Sequence, residues 1–131
     1  MMRAAGALAL CGTLCGAFLL GQSSPAVAGR APKTQLKIVD SIKGGATKTV
    51  WLYCAPAGGT HPNARAACRL LKEVDGRPSR LNVTPDASCT REVQPHVVVV
   101  VGRWRGQPVH WAKIFGNGCL MKAATGAVLA L

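Results

Sequence analysis

Cys89-Thr90-Arg91-Glu92-Val93-Gln94-Pro95-His96-Val97-Val98-Val99-Val100-Val101 is the stretch on which the fold turns. Its second half is five consecutive valines, stiff at χ1 and suited to a pleated surface, and it predicts a strand buried on both faces. Its first half predicts a restrained loop. Pro95 fixes its own φ and biases Gln94 toward an extended backbone, and Cys89 offers a covalent anchor to the body of the fold. A sheet entered through a stiffened loop that presents Arg91 outward is the simplest reading of the two halves together.

Upstream, Thr34-Gln35-Leu36-Lys37-Ile38-Val39 alternates, with Leu36 and Ile38 on one face. Thr47 to Cys54 alternates again across the Lys43-Gly44-Gly45 turn, so the pair predicts a hairpin. Ala55 to Pro62 is a loop ending in a helix start, with Pro62 at the first helical position and Thr60 or His61 placed to cap. The helix that follows carries Ala64, Ala67, Cys68, Leu71 and Val74 as its apolar stripe and Arg65, Arg69 and Lys72 as its wet face, and Asp75-Gly76 stops it. His61, at a helix start without a carboxylate or nucleophile partner in the pattern, is expected to be structural. Arg77 to Ser88 is a connection with room for a short helix or turn.

Downstream of the valines, Gly102 to Pro108 turns the chain and Val109 to Phe115 returns it. Gly116-Asn117-Gly118-Cys119 turns it again, and Thr125 to Leu131 is expected as a last short strand. The fold class expected is therefore α+β: about five antiparallel strands with one or two helices packed on one face.

Residues 1–28 stand apart. Arg3, the small and apolar run Ala4–Leu20 and Ala26-Val27-Ala28 have the form of a secretory signal peptide, which leaves residues 29–131 as one domain and predicts an extracellular protein. Beyond that leader no segment approaches the ~20 apolar residues of a membrane span. Four cysteines remain, Cys54, Cys68, Cys89 and Cys119, and in an oxidising compartment they imply two disulfides with three possible pairings. Nearest with nearest, Cys54–Cys68 and Cys89–Cys119, is the pairing expected. Loops of these lengths would stabilise the fold by about 3 and about 3.5 kcal/mol in the chain-entropy model. The spacings contain no Cys-x-x-Cys pair, so neither a metal nor any cofactor is expected.

The chain carries 16 lysines and arginines against 5 aspartates and glutamates, a net charge of +11, and of the basic residues only Arg3 lies in the leader. Such a balance draws polyanions and acidic protein surfaces and speeds encounter with acidic partners. It comes without a zinc finger or an aromatic RNA-binding signature, so no specific nucleic-acid partner is expected. A basic polyanion-binding module built on Arg77, Arg80, Arg103, Arg105, Lys113 and Lys122 is the alternative functional reading. An enzyme fits poorly: residues 29–131 hold three histidines, five acids and only Ser41, Ser79 and Ser88 as serines, with no Gly-x-Ser-x-Gly nucleophile motif.

The loop points elsewhere. An extended segment held at both ends has the shape a serine protease binds, and being pre-formed it loses little entropy on docking. Cys54-Ala-Pro, Gly59-Thr60-His61-Pro62, Ala67-Cys68, the Cys89–Pro95 loop, Gly102-Arg-Trp104-Arg-Gly106 and Phe115-Gly-Asn117-Gly-Cys119 occur here in one order. In this the chain resembles the Streptomyces subtilisin inhibitor-like proteins. The resemblance implies a secreted, usually homodimeric inhibitor of serine proteases, with the disulfides paired as above and a reactive bond two residues after Cys89. That bond would be Arg91–Glu92, Arg91 entering the protease's specificity pocket, within a protease-contacting loop Ser88-Cys89-Thr90-Arg91-Glu92-Val93-Gln94-Pro95. Cys119 and Asn117 are the residues expected to support the loop. Trypsin-like and subtilisin-like proteases are the implied partners.

Overall fold

The computed structural model describes residues 33–131; the leader expected over residues 1–28 lies outside the described residues. Strand β1 (Thr34–Ile42) and strand β2 (Thr47–Cys54) form the expected hairpin, in register from Thr34 opposite Cys54 to Ser41 opposite Thr47. The two-residue strand β3 (Gly58–Gly59) pairs with β2. Helix α1 (Ala64–Glu73) follows, then a 3₁₀ turn, Pro78–Arg80. Strand β4 (His96–Trp104) lies antiparallel to β1 and turns through Arg105 and Gly106 into β5 (Gln107–Phe115); helix α2 (Gly118–Thr125) and a 3₁₀ turn, Gly126–Leu129, complete the chain. The sheet order is β3-β2-β1-β4-β5, antiparallel throughout, so the fold is α+β.

One face of the sheet carries the core. Leu36, Ile38, Leu52, Val98 and Val100 are fully buried and pack with Ala67 and Leu71 of α1, Met121 of α2 and Val128 and Leu129 of the last turn. Each such Leu, Ile or Val side chain contributes roughly 1.5–3 kcal/mol by leaving water. Both disulfides form as expected: Cys54–Cys68 ties the end of β2 to α1, and Cys89–Cys119 ties the loop before β4 to α2. Gly102 is required by the sheet itself, since at φ 143° a Cβ there would collide with the Gln35 carbonyl of β1.

Three expectations need correction. The valine strand is buried on one face only: Val98 and Val100 are fully covered, but Val97 is 39% exposed and Val99 and Val101 are half-covered, because both helices lie on the same side. Thr125–Leu131 is not a strand. Thr125 ends α2 and the next residues tighten into a 3₁₀ turn that inserts Val128 and Leu129 into the core, while the fifth strand is the short Gly58–Gly59 piece. Helix α1 begins at Ala64 with Asn63 at its N-cap and no side-chain cap, so Pro62 precedes the helix and neither Thr60 nor His61 caps it. His61 instead lies buried, accepting the Asn63 N–H at Nδ1 (2.9 Å) and bonding the Val128 carbonyl through Nε2 (2.9 Å). That role is structural: the imidazole joins the entry of α1 to the last turn of the chain.

Candidate functional site

Ser88–Pro95 carries no regular secondary structure and lies exposed between the Pro78–Arg80 region and β4, with only Cys89 and Pro95 partly covered. A free segment of this composition would sample many conformations, each ordered residue costing about 1–2 kcal/mol of backbone entropy. Here it is tethered almost residue by residue. Cys89 is bonded to Cys119 in the first turn of α2. The Asn117 side-chain amide donates to the Thr90 carbonyl at 3.0 Å and to the Glu92 carbonyl at 2.9 Å. The Gln94 N–H bonds the Gly116 carbonyl at 2.9 Å, and the Pro95 carbonyl accepts from the Lys43 N–H of the β1–β2 turn at 2.9 Å.

Asn117 is 4% exposed and serves two elements at once. Its Oδ1 accepts the Leu120 N–H at 2.8 Å, which makes it the N-cap of α2, while its NH₂ faces the loop. The helix thus fixes the amide, and the amide fixes the loop. Gly116 and Asn117 make the bend expected of the Gly116–Cys119 segment, but Gly118 and Cys119 already belong to α2, and Asn117 is buried because the loop covers it.

The tethers fall on either side of one peptide bond. The carbonyls of Thr90 and Glu92 are held, whereas the Arg91 carbonyl and the Glu92 N–H take no part in the hydrogen bonds among the described residues. The side chains of Arg91, Glu92 and Val93 point into solvent, Val93 with 83% of its surface exposed. Below the loop's exit, His96 Nδ1 bonds Asp40 Oδ1 at 2.7 Å, both residues buried, which locks the first residue of β4 against β1. Among the described residues no group of His, Cys, Asp and Glu is placed to hold a metal, and no helix is long and apolar enough to cross a membrane.

Sequence reasoning brought Cys89, Cys119 and Asn117 to this place. It missed Lys43, Gly116 and the Asp40–His96 pair. The first two act through backbone groups that any residue supplies, and Asp40 and His96 stand 56 positions apart with no motif joining them.

Chemically, the arrangement is an accessible peptide bond in a frame that does not depend on that bond. Were Arg91–Glu92 cut, the new acyl end would stay tied through Thr90 and Cys89, and the new amine through the Glu92 carbonyl, Gln94 and Pro95.

The family model described as "Subtilisin inhibitor-like" matches residues 32–117. The chain belongs to the subtilisin inhibitor-like family. A "Subtilase-type protease inhibitor" of Streptomyces coelicolor is 38% identical over 127 residues, 93% of this chain and 88% of that protein. A "Subtilisin inhibitor" of Streptomyces violaceus is 49% identical over 86 residues, 64% of this chain and 59% of the relative's length. Among solved structures, Streptomyces caespitosus sermetstatin, crystallised in complex with Bacillus licheniformis subtilisin, superposes with a TM-score of 0.55 at 28% identity, covering 75% of this chain and all of that one. The family is one of protease inhibitors rather than enzymes.

Proposed function

We propose that the protein inhibits serine proteases by offering Ser88–Pro95 as a substrate that is not released, with Arg91–Glu92 as the reactive bond. The observation that carries this is the Asn117 amide, which holds the carbonyls on both sides of that bond while Cys89–Cys119 holds the strand leading into it. In the complex, the protease's serine approaches the Arg91 carbonyl and Arg91 fills the S1 pocket, where a trypsin-like enzyme supplies an aspartate at the base. If the serine forms the acyl-enzyme, the Glu92 amine stays within reach, and its return competes with water through a high effective concentration. A loop already in the bound shape gives up little freedom on docking, so the complex persists.

Partners are trypsin-like proteases, through Arg91, and subtilisin-like proteases, the latter supported by the subtilisin complex of sermetstatin and the names of the relatives. Secretion through the 1–28 leader would put the inhibitor where such enzymes work. The protein is further proposed to form a homodimer through the uncovered face of its sheet, where Val97, Val99, Val101, Ile114 and Trp51 leave an apolar surface that the helices do not reach. A two-fold interface of this kind is isologous.

The test is to titrate active-site-calibrated trypsin, subtilisin and chymotrypsin with the protein and then determine the amino termini produced on long incubation. Stoichiometric inhibition with a single new amino terminus at Glu92 is expected. A first cut elsewhere, with Arg91–Glu92 intact, refutes the assignment of the bond.

A further inference from the structure

The charge of this protein is not consumed by its fold. Among the described residues the only side-chain ion pair joins His96 to Asp40, so no lysine or arginine there is paired with an aspartate or glutamate side chain. Two of these cations are placed over aromatic rings instead: Arg105 over Trp104 at 5.7 Å and Lys113 over Phe115 at 4.9 Å. Both lie along one groove.

That groove runs beside the edge strand β5. Its wider part, about 590 Å³, is walled by Arg77 and Arg105 with Trp104 and Trp111 between them; Asp75 is its single carboxylate. A narrower part of about 120 Å³ shares Pro78, Ser79 and Trp111 with it and continues to Lys113. The floor is rigid. Trp104 is 6% exposed and packs on Gly76, which stands at φ 70° and where a Cβ would strike the indole. Arg105 is also in an unusual place, since it occupies the first position of the two-residue β4–β5 turn at φ 47°, followed by Gly106 at φ 82°. Such turns favour Asn or Asp ahead of Gly, and a left-handed conformation is unfavourable for a long side chain. An arginine held there against local preference, its guanidinium on an indole at the mouth of a basic groove, suits an anion.

We infer that the groove lined by Arg77, Arg105, Trp111 and Lys113 is a second binding site, taking a linear phosphodiester-linked polyol chain. Three separated cations match phosphates spaced along a polymer, Arg77 and Arg105 through paired N–H donors and Lys113 as a point charge. The half-buried Trp111 covers the C–H surface between phosphates. A single-stranded nucleic acid fits less well: it requires several open rings for successive bases, and here Trp104 and Phe115 are buried, leaving only Trp111 and the smaller imidazole of His110. The Arg77 and Arg105 part of the groove lies at the turn after Trp104, roughly 27 Å along the nine residues of β4 from the loop at His96, while Lys113, opposite Val98, lies toward the loop's end of the sheet. Arg77 and Arg105 would therefore hold the polymer away from the loop that a protease engages.

The test measures binding of a synthetic poly(glycerol phosphate) of defined length to the protein at near-physiological salt, by calorimetry and by Trp fluorescence. Arg77→Gln with Arg105→Gln is expected to weaken binding about tenfold or more, as the loss of charge-assisted bonds to phosphate implies. Arg65→Gln with Arg69→Gln, on the outer face of α1, removes the same charge and should cost less than about threefold. Equal losses from the two pairs would reduce the effect to diffuse electrostatics and overturn the site. Arg105→Asn separates binding from folding: it should raise the melting temperature by relieving the turn while still weakening the polymer, and unchanged polymer affinity in that folded variant would also overturn it. Tighter binding of an oligodeoxynucleotide of equal charge, abolished by Trp111→Ala, would replace the polyol with nucleic acid and refute the inference as stated. Subtilisin inhibition should be the same in every one of these variants.

Discussion

In the proposed mechanism Arg91 serves recognition, while Asn117 restrains the loop through the Thr90 and Glu92 carbonyls. Removing one partner of a buried charged pair costs about 2–5 kcal/mol, so Arg91→Ala is expected to weaken trypsin inhibition by that amount. Subtilisin, with a pocket that accepts apolar side chains, should lose less, and Arg91→Met should keep or improve its inhibition. Thermal stability should barely move, because the side chain is exposed and contributes no core burial. Asn117→Asp is the complementary experiment. It retains an oxygen to cap α2, a function worth about 1 kcal/mol, but has no NH₂ for the Thr90 and Glu92 carbonyls. We expect the variant to fold, to inhibit on mixing, and to lose inhibition over time as the loop is hydrolysed, which an activity time course with mass spectrometry will show. The exposed loop that carries Arg91 was legible in the sequence because Cys89 and Pro95 bracket it. The restraints from Lys43 and Gly116 were not, since a backbone N–H or carbonyl leaves no mark in the residue that bears it.

Among the elements, the two disulfides act on different things. Cys89 and Cys119 join the loop to α2, whereas Cys54 and Cys68 join β2 to α1. Replacing Cys89 and Cys119 by Ser should convert the protein from inhibitor to substrate, with cleavage in the loop. Replacing Cys54 and Cys68 should lower stability by about 3 kcal/mol in the chain-entropy model while leaving inhibition intact in the folded fraction. Denaturant titration and inhibition assays on both variants distinguish the outcomes. The hairpin and α1 were visible from their alternation and their stripe, but α2 was not. Asn117 followed by Leu120, Met121, Ala123 and Ala124, a cap residue and then strong helix formers, does carry a helix signal. The flanking glycines and the disulfide cysteine make the same residues look like a turn, and the apolar end Val128-Leu129 has no length over which a period can be counted. The valine run failed for a related reason: with one residue type at every position, a covered and an uncovered face are indistinguishable until the helices are known to lie on one side.

For the whole molecule, the uncovered sheet face and the excess charge make separate predictions. Val99→Lys places a charge in the middle of the apolar face, on the strand position opposite Val39, and should shift the protein from dimer to monomer in light scattering without changing the stoichiometry of protease inhibition. A wild-type protein already monomeric at micromolar concentration would remove the dimer. Association with an acidic protease should be fast and should slow as salt is raised, with the dissociation rate nearly constant.

The order of strands also sets a timetable. β1, the central strand, is synthesised before any of its neighbours, and of its two partners only β2 is close in the chain; Ile42 must wait for His96 and Gln35 for Arg103. A hairpin of β1 and β2 can close in about 1–10 µs. Pairing with β4 requires a closure across most of the remaining domain, the kind of non-local step that moves folding toward milliseconds or longer. During that interval β1 offers a bare row of amides and carbonyls with Leu36 and Ile38 unshielded, which is a template for wrong pairing between chains. Expression at lower temperature and low chain concentration should therefore raise the yield of active protein more than any change that speeds the hairpin alone.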